Sequence, residues 1–206
     1  MLLKICTIAE KLFMRYGIRS ITMDDVAREL SISKKTLYQF VEDKDDLVKK
    51  TISMHLEEID RMALSIVSNE DNAIQQILKI AEIMISLHKE VSQGLLFDLK
   101  KFHPDSFTML IEHREKVMFG EITKNLELGI KQKLYRKDLN VELTAGFYMA
   151  LVMTSLDSDI SVLINTPFNE KYAYLINYHL TAICTDEGLT YLHKHKKNLT
   201  KPSLIQ

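Results

Sequence analysis

Apolar and polar positions alternate at helical spacing from the start of the chain. Ile5, Ile8, Ala9, Leu12, Phe13 and Tyr16 form one face, and Lys4, Glu10, Lys11 and Arg15 the other. This predicts a helix over residues 3–16, with Gly17 as its terminator. A shorter pattern follows. Thr22 is placed to cap a second helix and Asp25 to answer it in a capping box. Asp24 and Asp25 suit the positive end of that helix dipole, and Val26, Ala27 and Leu30 make its apolar stripe. Ser31-Ile32-Ser33 breaks the pattern. Ser33 then caps a third helix predicted over Lys34–Phe40, where Leu37 and Phe40 face inward and Val41 follows. Lys34, Lys35, Thr36, Tyr38 and Gln39 stay outside. Asp43 caps a long fourth helix, whose apolar face runs through Leu47, Val48, Ile52, Leu56, Ile59, Met62 and Ala63.

Ser68 to Asn72 is the clearest linker. Beyond it the pattern predicts a helix from Ala73 to Lys89 and a short one over Leu95–Phe102. After the break at His103-Pro104, a long helix capped by Asp105 or Ser106 is expected to reach Gly129. A polar stretch, Lys131 to Asn140, separates it from a strongly apolar helix over residues 142–164. Thr166-Pro167 stops that helix, because proline disfavours helical backbone in the residue before it. Asn169–Ile183 is the last main helix, with Gly188 expected as its terminator and a frayed tail to Gln206.

Composition agrees with an all-α globular protein. Of 206 residues, 46% are hydrophobic and 27% charged, and six Gly and three Pro are too few for a turn-rich β fold. Cys6 and Cys184 stand far apart and form no metal or redox spacing, so both read as small buried apolar residues in a reducing compartment. No signal peptide or run of transmembrane length is visible, and a cytoplasmic protein with no membrane partner is expected. The net charge of −1 conceals an asymmetry. Residues 1–50 hold ten Lys/Arg against eight Asp/Glu, and the remainder seventeen against twenty. The basic excess sits in the N-terminal quarter.

That excess belongs with the outside set of the third helix. Two lysines, a hydroxyl, a phenol and an amide on a short helix can donate to phosphates and read base edges. Two helices, a tight turn and a polar second helix make a helix-turn-helix. The competing reading is an ordinary helical hairpin with a solvated face. Enzymatic signatures are missing from the sequence: no Gly-rich phosphate loop, His-Glu metal helix, nucleophile elbow or paired cysteines. No cofactor is expected. His193-Lys194-His195 could bind a metal, but its lysine-rich setting reads better as a solvated end.

Ala9, Leu12-Phe13, Gly17, Thr22, Val26-Ala27, Ser33, Thr36-Leu37-Tyr38, Lys44 and Leu47 stand in an order and spacing that resembles the TetR-family transcriptional regulators. The resemblance implies an N-terminal three-helix helix-turn-helix DNA-binding domain, residues 1–50. A long fourth helix would join it to a C-terminal helical ligand-binding and dimerisation domain, residues 51–206. It implies a sequence-specific DNA-binding regulator, a repressor as a homodimer, switched by a small, largely hydrophobic effector. Carried over by position, Ser33, Lys34, Lys35, Thr36, Tyr38 and Gln39 belong to the recognition helix. Thr22 and Lys44 would meet phosphates at the starts of the second and fourth helices. Three departures stand out. Ser31 occupies the turn position where the family has Gly, so it either enters the left-handed region or shifts the turn. Phe40 replaces a polar residue, which removes one backbone contact. Only three residues precede Lys4, so no minor-groove arm contact is expected.

For the effector, the resemblance implies a pocket lined by Met84, His88, Phe97, Phe102, Phe107, Ile111, Met118, Phe147, Met149 and Met153, with His88, His103 or His113 as a polar anchor. The 142–164 helix, apolar all round, is either simple core or half of a dimer interface. Paired with 169–183 it resembles the family's dimerising helices. Leu151, Tyr172, Leu175, Ile176, His179, Leu180 and Ile183 would then face the second copy. An alternative is a helical dimeric interaction protein that keeps the fold with weak or lost DNA binding.

Overall fold

The computed structural model describes residues 1–70, 72–88, 94–156 and 166–195, apart from the side chains of His88, Arg114 and Leu156. The described chain is all-α. Its one extended pairing is an isolated bridge from Tyr135 to Cys184. Packing divides the chain into two compact units, Met1–Met62 with Glu90–Arg114 and Ala63–Lys89 with Glu115–Gln206.

The first unit holds α1 (Leu2–Tyr16), α2 (Met23–Glu29), α3 (Lys34–Leu37) and the start of α4 (Lys44–Asn69). To these it adds α6 (Leu95–Phe102) and α7 (Pro104–His113). One core ties them together. Ile5, Ala9, Phe13, Val26, Leu37, Leu47 and Val48 are buried with Leu99 of α6 and Leu110 of α7. Polar links accompany the burial. The Asp98 carboxylate accepts the Arg19 backbone N–H at 2.9 Å. His103 pairs with Asp45, His113 Nε2 lies 2.9 Å from Asp60 Oδ2, and His55 Nδ1 lies 2.5 Å from Glu10 Oε1.

Local chemistry explains the breaks. Gly17 ends α1 at φ 80°, a left-handed conformation that favours glycine. Asp43 caps α4 as expected, accepting from the Asp46 N–H at 2.8 Å. Pro104, not Asp105 or Ser106, opens α7. Its missing N–H costs nothing in the first turn, and its fixed φ suits a helix start.

The second unit contains α5 (Ala73–His88), α8 (Phe119–Lys131), α9 (Val141–Leu156), α10 (Phe168–Ile183) and α11 (Asp186–His195). The long helix expected over residues 105–129 is interrupted by a π-turn at Arg114–Met118, which joins α7 to α8. Residues 157–164 of the expected 142–164 helix, and the tail from 196 on, lie outside the described residues. Ile74, Ile77, Leu126, Tyr135, Ala145, Val152, Tyr172, Ile176, Leu180 and Leu192 share the core. Three buried polar side chains there, Asn125, Gln76 and Tyr135, are linked in a chain. Asn125 Nδ2 donates to the Ala73 carbonyl at 3.0 Å and to Gln76 Oε1 at 2.9 Å, and the Tyr135 hydroxyl donates to Asn125 Oδ1 at 3.2 Å.

Two expectations about this unit fail for packing reasons. The stretch Lys131–Asn140 is polar only in part, since Leu134 and Tyr135 are buried in the core. The Tyr135 ring lies where a side chain on Gly129 would sit: a Cβ there would be 2.0 Å from it. Gly188 does not terminate α10, which ends at Ile183 with Cys184 in extended backbone. It lies inside α11, and a Cβ on it would come 2.1 Å from the Leu134 carbonyl oxygen. The glycine is there for close approach rather than for a turn.

The expected dimer residues are also relocated. Tyr172, Leu175, Ile176, His179, Leu180 and Ile183 are all buried within a single chain, so these side chains have no free surface for a second copy. Leu151 alone of that set is exposed. It shares α9 with exposed Leu143 and Phe147, while α10 exposes Tyr174 and Tyr178. The apolar residues of α10 continue around the helix, and the sequence pattern identified only the inward half.

Candidate nucleic-acid interface

The site is built on α2, α3 and the turn joining them. Thr22 makes the expected capping box. Its Oγ1 accepts the Asp25 N–H at 3.2 Å, while Asp25 Oδ2 accepts the Thr22 N–H at 2.9 Å and its hydroxyl at 2.6 Å. Those hydrogen bonds from Thr22 hold the Asp25 carboxyl below the usual carboxylate range. Ser31 takes the left-handed conformation, φ 54°. The Ser31 N–H then reaches the Arg28 carbonyl and the Ile32 N–H the Ala27 carbonyl, both at 3.0 Å. This is the double bond pattern that closes a helix through a left-handed residue, usually glycine. Of the two possibilities for Ser31, the backbone takes the strained one.

Ser33 caps α3, accepting the Thr36 N–H at 3.0 Å, and its hydroxyl lies 2.8 Å from that of Thr36. The helix is shorter than the predicted Lys34–Phe40. It ends at Leu37, after which the Gln39 and Phe40 N–H groups bond three residues back, to Thr36 and Leu37. The tightened turn still carries Tyr38 and Gln39. Lys50 of α4 fixes it from behind: its Nζ donates to the Phe40 carbonyl at 3.0 Å and to Asp46 Oδ2 at 2.7 Å. Phe40 itself is half-buried against the core of the first unit.

The expected contact residues are not equivalent. Lys35, Tyr38 and Gln39 are exposed, and Thr36 is half-buried. Lys34 is exposed but paired across to α2, its Nζ 2.9 Å from Asp24 Oδ1, and this bond raises its pKa. The hydroxyls of Thr22 and Ser33 already serve as helix caps. Lys44 is half-buried, with Nζ 3.4 Å from the Arg19 carbonyl, and burial lowers its pKa. Sequence reasoning missed the roles of Asp24, Arg19 and Lys50. Asp24 was visible as a helix-dipole residue, but its partner lies on another helix.

The expected effector residues are dispersed. Phe97 and Phe102 are exposed on α6, and Phe147 is 69% exposed on α9. Phe107 packs on the core of the first unit, and Met84 and Met118 on that of the second. Met149 is buried, Ile111 and Met153 are half-buried, and the His88 side chain lies outside the described residues. A cavity of about 280 Å³ in the first unit is lined by Asp43, Asp45, Asp46, Lys49, His103 and Asp105, with Pro104 and Ser106. Of the expected residues it takes only His103, and its carboxylates make it unlike an apolar effector site.

Two capped helices around a left-handed turn, the second with a polar outer face, define a helix-turn-helix DNA-binding protein. Residues 5–51 match the sequence profile of the bacterial regulatory proteins, tetR family. An uncharacterized HTH-type transcriptional regulator of Bacillus subtilis, YvaF, is 25% identical over 174 residues, covering 82% of this chain and 88% of that one. In fold, a protein from Saccharomonospora viridis solved in complex with choline is similar, with a TM-score of 0.74 and 15% identity over 89% of this chain and 97% of that one. So is a TetR-family transcriptional regulator from Agrobacterium tumefaciens, at 0.70 and 18% over 89% and 97%. Residues 5–51 thus match the N-terminal domain of the tetR family, and the chain as a whole shares the fold of the solved regulators.

Proposed function

We propose that the chain is a cytoplasmic, homodimeric repressor whose hold on DNA is switched by a small, largely hydrophobic effector. Residues 1–50 form the DNA-reading part and residues 51–206 the effector-binding and dimerising part. The observation that carries this reading is the exposed set Lys35, Tyr38 and Gln39 on a short helix anchored by Ser33 and Leu37. Exposed donors on an anchored helix can enter a major groove without losing their own packing. Lys34 joins them by exchanging Asp24 for a phosphate. Thr22, Ser33, Thr36 and Lys44 support the contact through the N-termini of α2, α3 and α4, where backbone N–H groups favour an anion.

A dimer follows from the same reading, since a helix-turn-helix reads two half-sites about one DNA turn apart. Its face is assigned to Leu143, Phe147 and Leu151 of α9 with Tyr174 and Tyr178 of α10, which are exposed in the single chain. Apolar surface of this kind is costly to leave in water and suits a two-fold interface. The effector is assigned to the second unit, where Met84, Met118 and Met153 give an adaptable apolar wall. The choline held by the similarly folded Saccharomonospora viridis protein supports a small organic ligand.

The decisive experiment is a gel shift of the intact protein against the DNA flanking its own gene. Parent protein is expected to shift a near-palindrome, and Lys35→Ala with Tyr38→Ala to abolish the shift. Equal binding by parent and double variant would overturn the contact assignment.

A further inference from the structure

Unit one carries a second cluster of cations, away from α3, which the helix-turn-helix does not explain. Phe97 and Phe102 of α6 are 60% and 38% exposed, and both rings carry positive charge. Lys101 Nζ lies 5.2 Å from the centroid of Phe97 and 5.4 Å from that of Phe102. Arg19 Cζ stands 5.2 Å from the same Phe102 ring. These are cation–π distances, and they hold two flexible side chains in place without neutralising them.

The surrounding carboxylates are already engaged. Asp98 accepts the Arg19 backbone N–H, Asp25 belongs to the Thr22 cap and pairs with Arg28, and Asp45 holds His103. Among the described residues no carboxylate pairs with the Arg19 guanidinium or the Lys101 ammonium. Lys34 and Lys50, by contrast, each have one. The patch is continuous with the DNA-binding face. Lys44 Nζ rests 3.4 Å from the Arg19 carbonyl, and Arg19 stands three residues before the Thr22 cap of α2.

We propose that Arg19 and Lys101, presented by Phe102, form a second contact with the DNA backbone beside the helix-turn-helix. The ligand chemistry is the phosphodiester of duplex DNA flanking the bases that α3 reads. Unpaired, ring-supported cations beside the start of α2 meet phosphates without first breaking an internal ion pair. They contribute affinity and orientation but no sequence information, because phosphates are alike at every base pair. The contact gives α6 a direct hold on DNA. The inference rests on the chain binding DNA through α2 and α3.

The test measures binding of the intact protein to a mixed-sequence duplex across a range of salt. Each lost phosphate contact lowers the slope of log affinity against log salt by about 0.9, so Arg19→Gln with Lys101→Gln should reduce it by nearly two. Arg19→Lys with Lys101→Arg, which keeps both charges, should restore most of it. Lys137→Gln, an exposed lysine of the second unit, should leave it unchanged. On a duplex selected by the protein itself, parent and the Arg19/Lys101 double variant should keep the same preference for that sequence over the mixed one. A parent-like slope in the double variant would overturn the second contact and leave the helix-turn-helix reading standing. A loss of sequence preference would reassign the pair to base reading and also overturn it. A parent protein with no salt-dependent binding would overturn both.

Discussion

The two units of this chain are organised by different physics. The first is written in local signals. Thr22, Ser33 and Asp43 each cap the helix that follows, and each accepts a backbone N–H three residues on. The second is written in contacts between distant residues. Gly188 makes room for the Leu134 carbonyl, and Asn125 links α8 to Ala73 and Gln76 of α5. On the proposed reading, a unit that presents a few side chains to DNA would benefit from stiff, locally determined helices, and a unit that encloses an effector from a core whose contacts can be exchanged.

The comparison breaks most easily at the glycines. Gly188→Ala should destabilise the second unit by about 3 kcal/mol or more, because the obstructing atom is backbone and cannot rotate away. A melting curve that leaves the second unit unchanged would contradict the packing. An effect of similar size, about 3 kcal/mol, is expected from pH. His179 is buried beside Tyr148, ring centroids 4.5 Å apart, and burial lowers its pKa from 6.5 to about 4. The folded state therefore resists the proton that the unfolded chain accepts. Stability is full above pH 6.5 and falls as pH drops toward 4. Denaturant melts across that window, with His179→Leu flattening the acid side, check the sign and the source.

Smaller effects test the first unit. Thr22→Ala removes the hydroxyl half of the capping box, leaving the Asp25 carboxylate on the backbone N–H of residue 22, and should cost about 1 kcal/mol, with little change in the second unit. Ser31→Gly should stabilise by somewhat less than 1 kcal/mol, by relieving a left-handed serine. A loss of stability on Ser31→Gly would show that the serine hydroxyl matters more than the backbone strain.

The same division decided what could be read in advance. Caps act over three or four residues, so the starts of α2, α3 and α4 were legible. So was the choice facing Ser31, though not which side the backbone would take. The shortening of α3 was not legible, because the bonds that tighten residues 38–40 depend on Lys50, one helix away. In α9 almost every position is apolar, so no stripe distinguishes the face toward the core from the face toward solvent. The residues expected to face a second copy therefore came from the half of α10 that is buried within the single chain. The outward polar side chains around α3 were legible, but not the pairing of one of them with α2. Asp24 and Lys34 meet only once two helices have packed.

The Asp24–Lys34 pair sets a threshold for engagement. The carboxylate holds the Lys34 Nζ at 2.9 Å, so on the proposed reading Lys34 would reach DNA by exchanging one anion for another. Both groups lie in water, and the exchange is shallow and sensitive to salt. On that reading, a lysine so tethered would discount casual encounters with the duplex and commit where Tyr38 and Gln39 had already found their bases. Asp24→Asn should accordingly bind all DNA somewhat more tightly while favouring its own operator less. In this sense the acidic residue would act as a brake on indiscriminate residence along the chromosome.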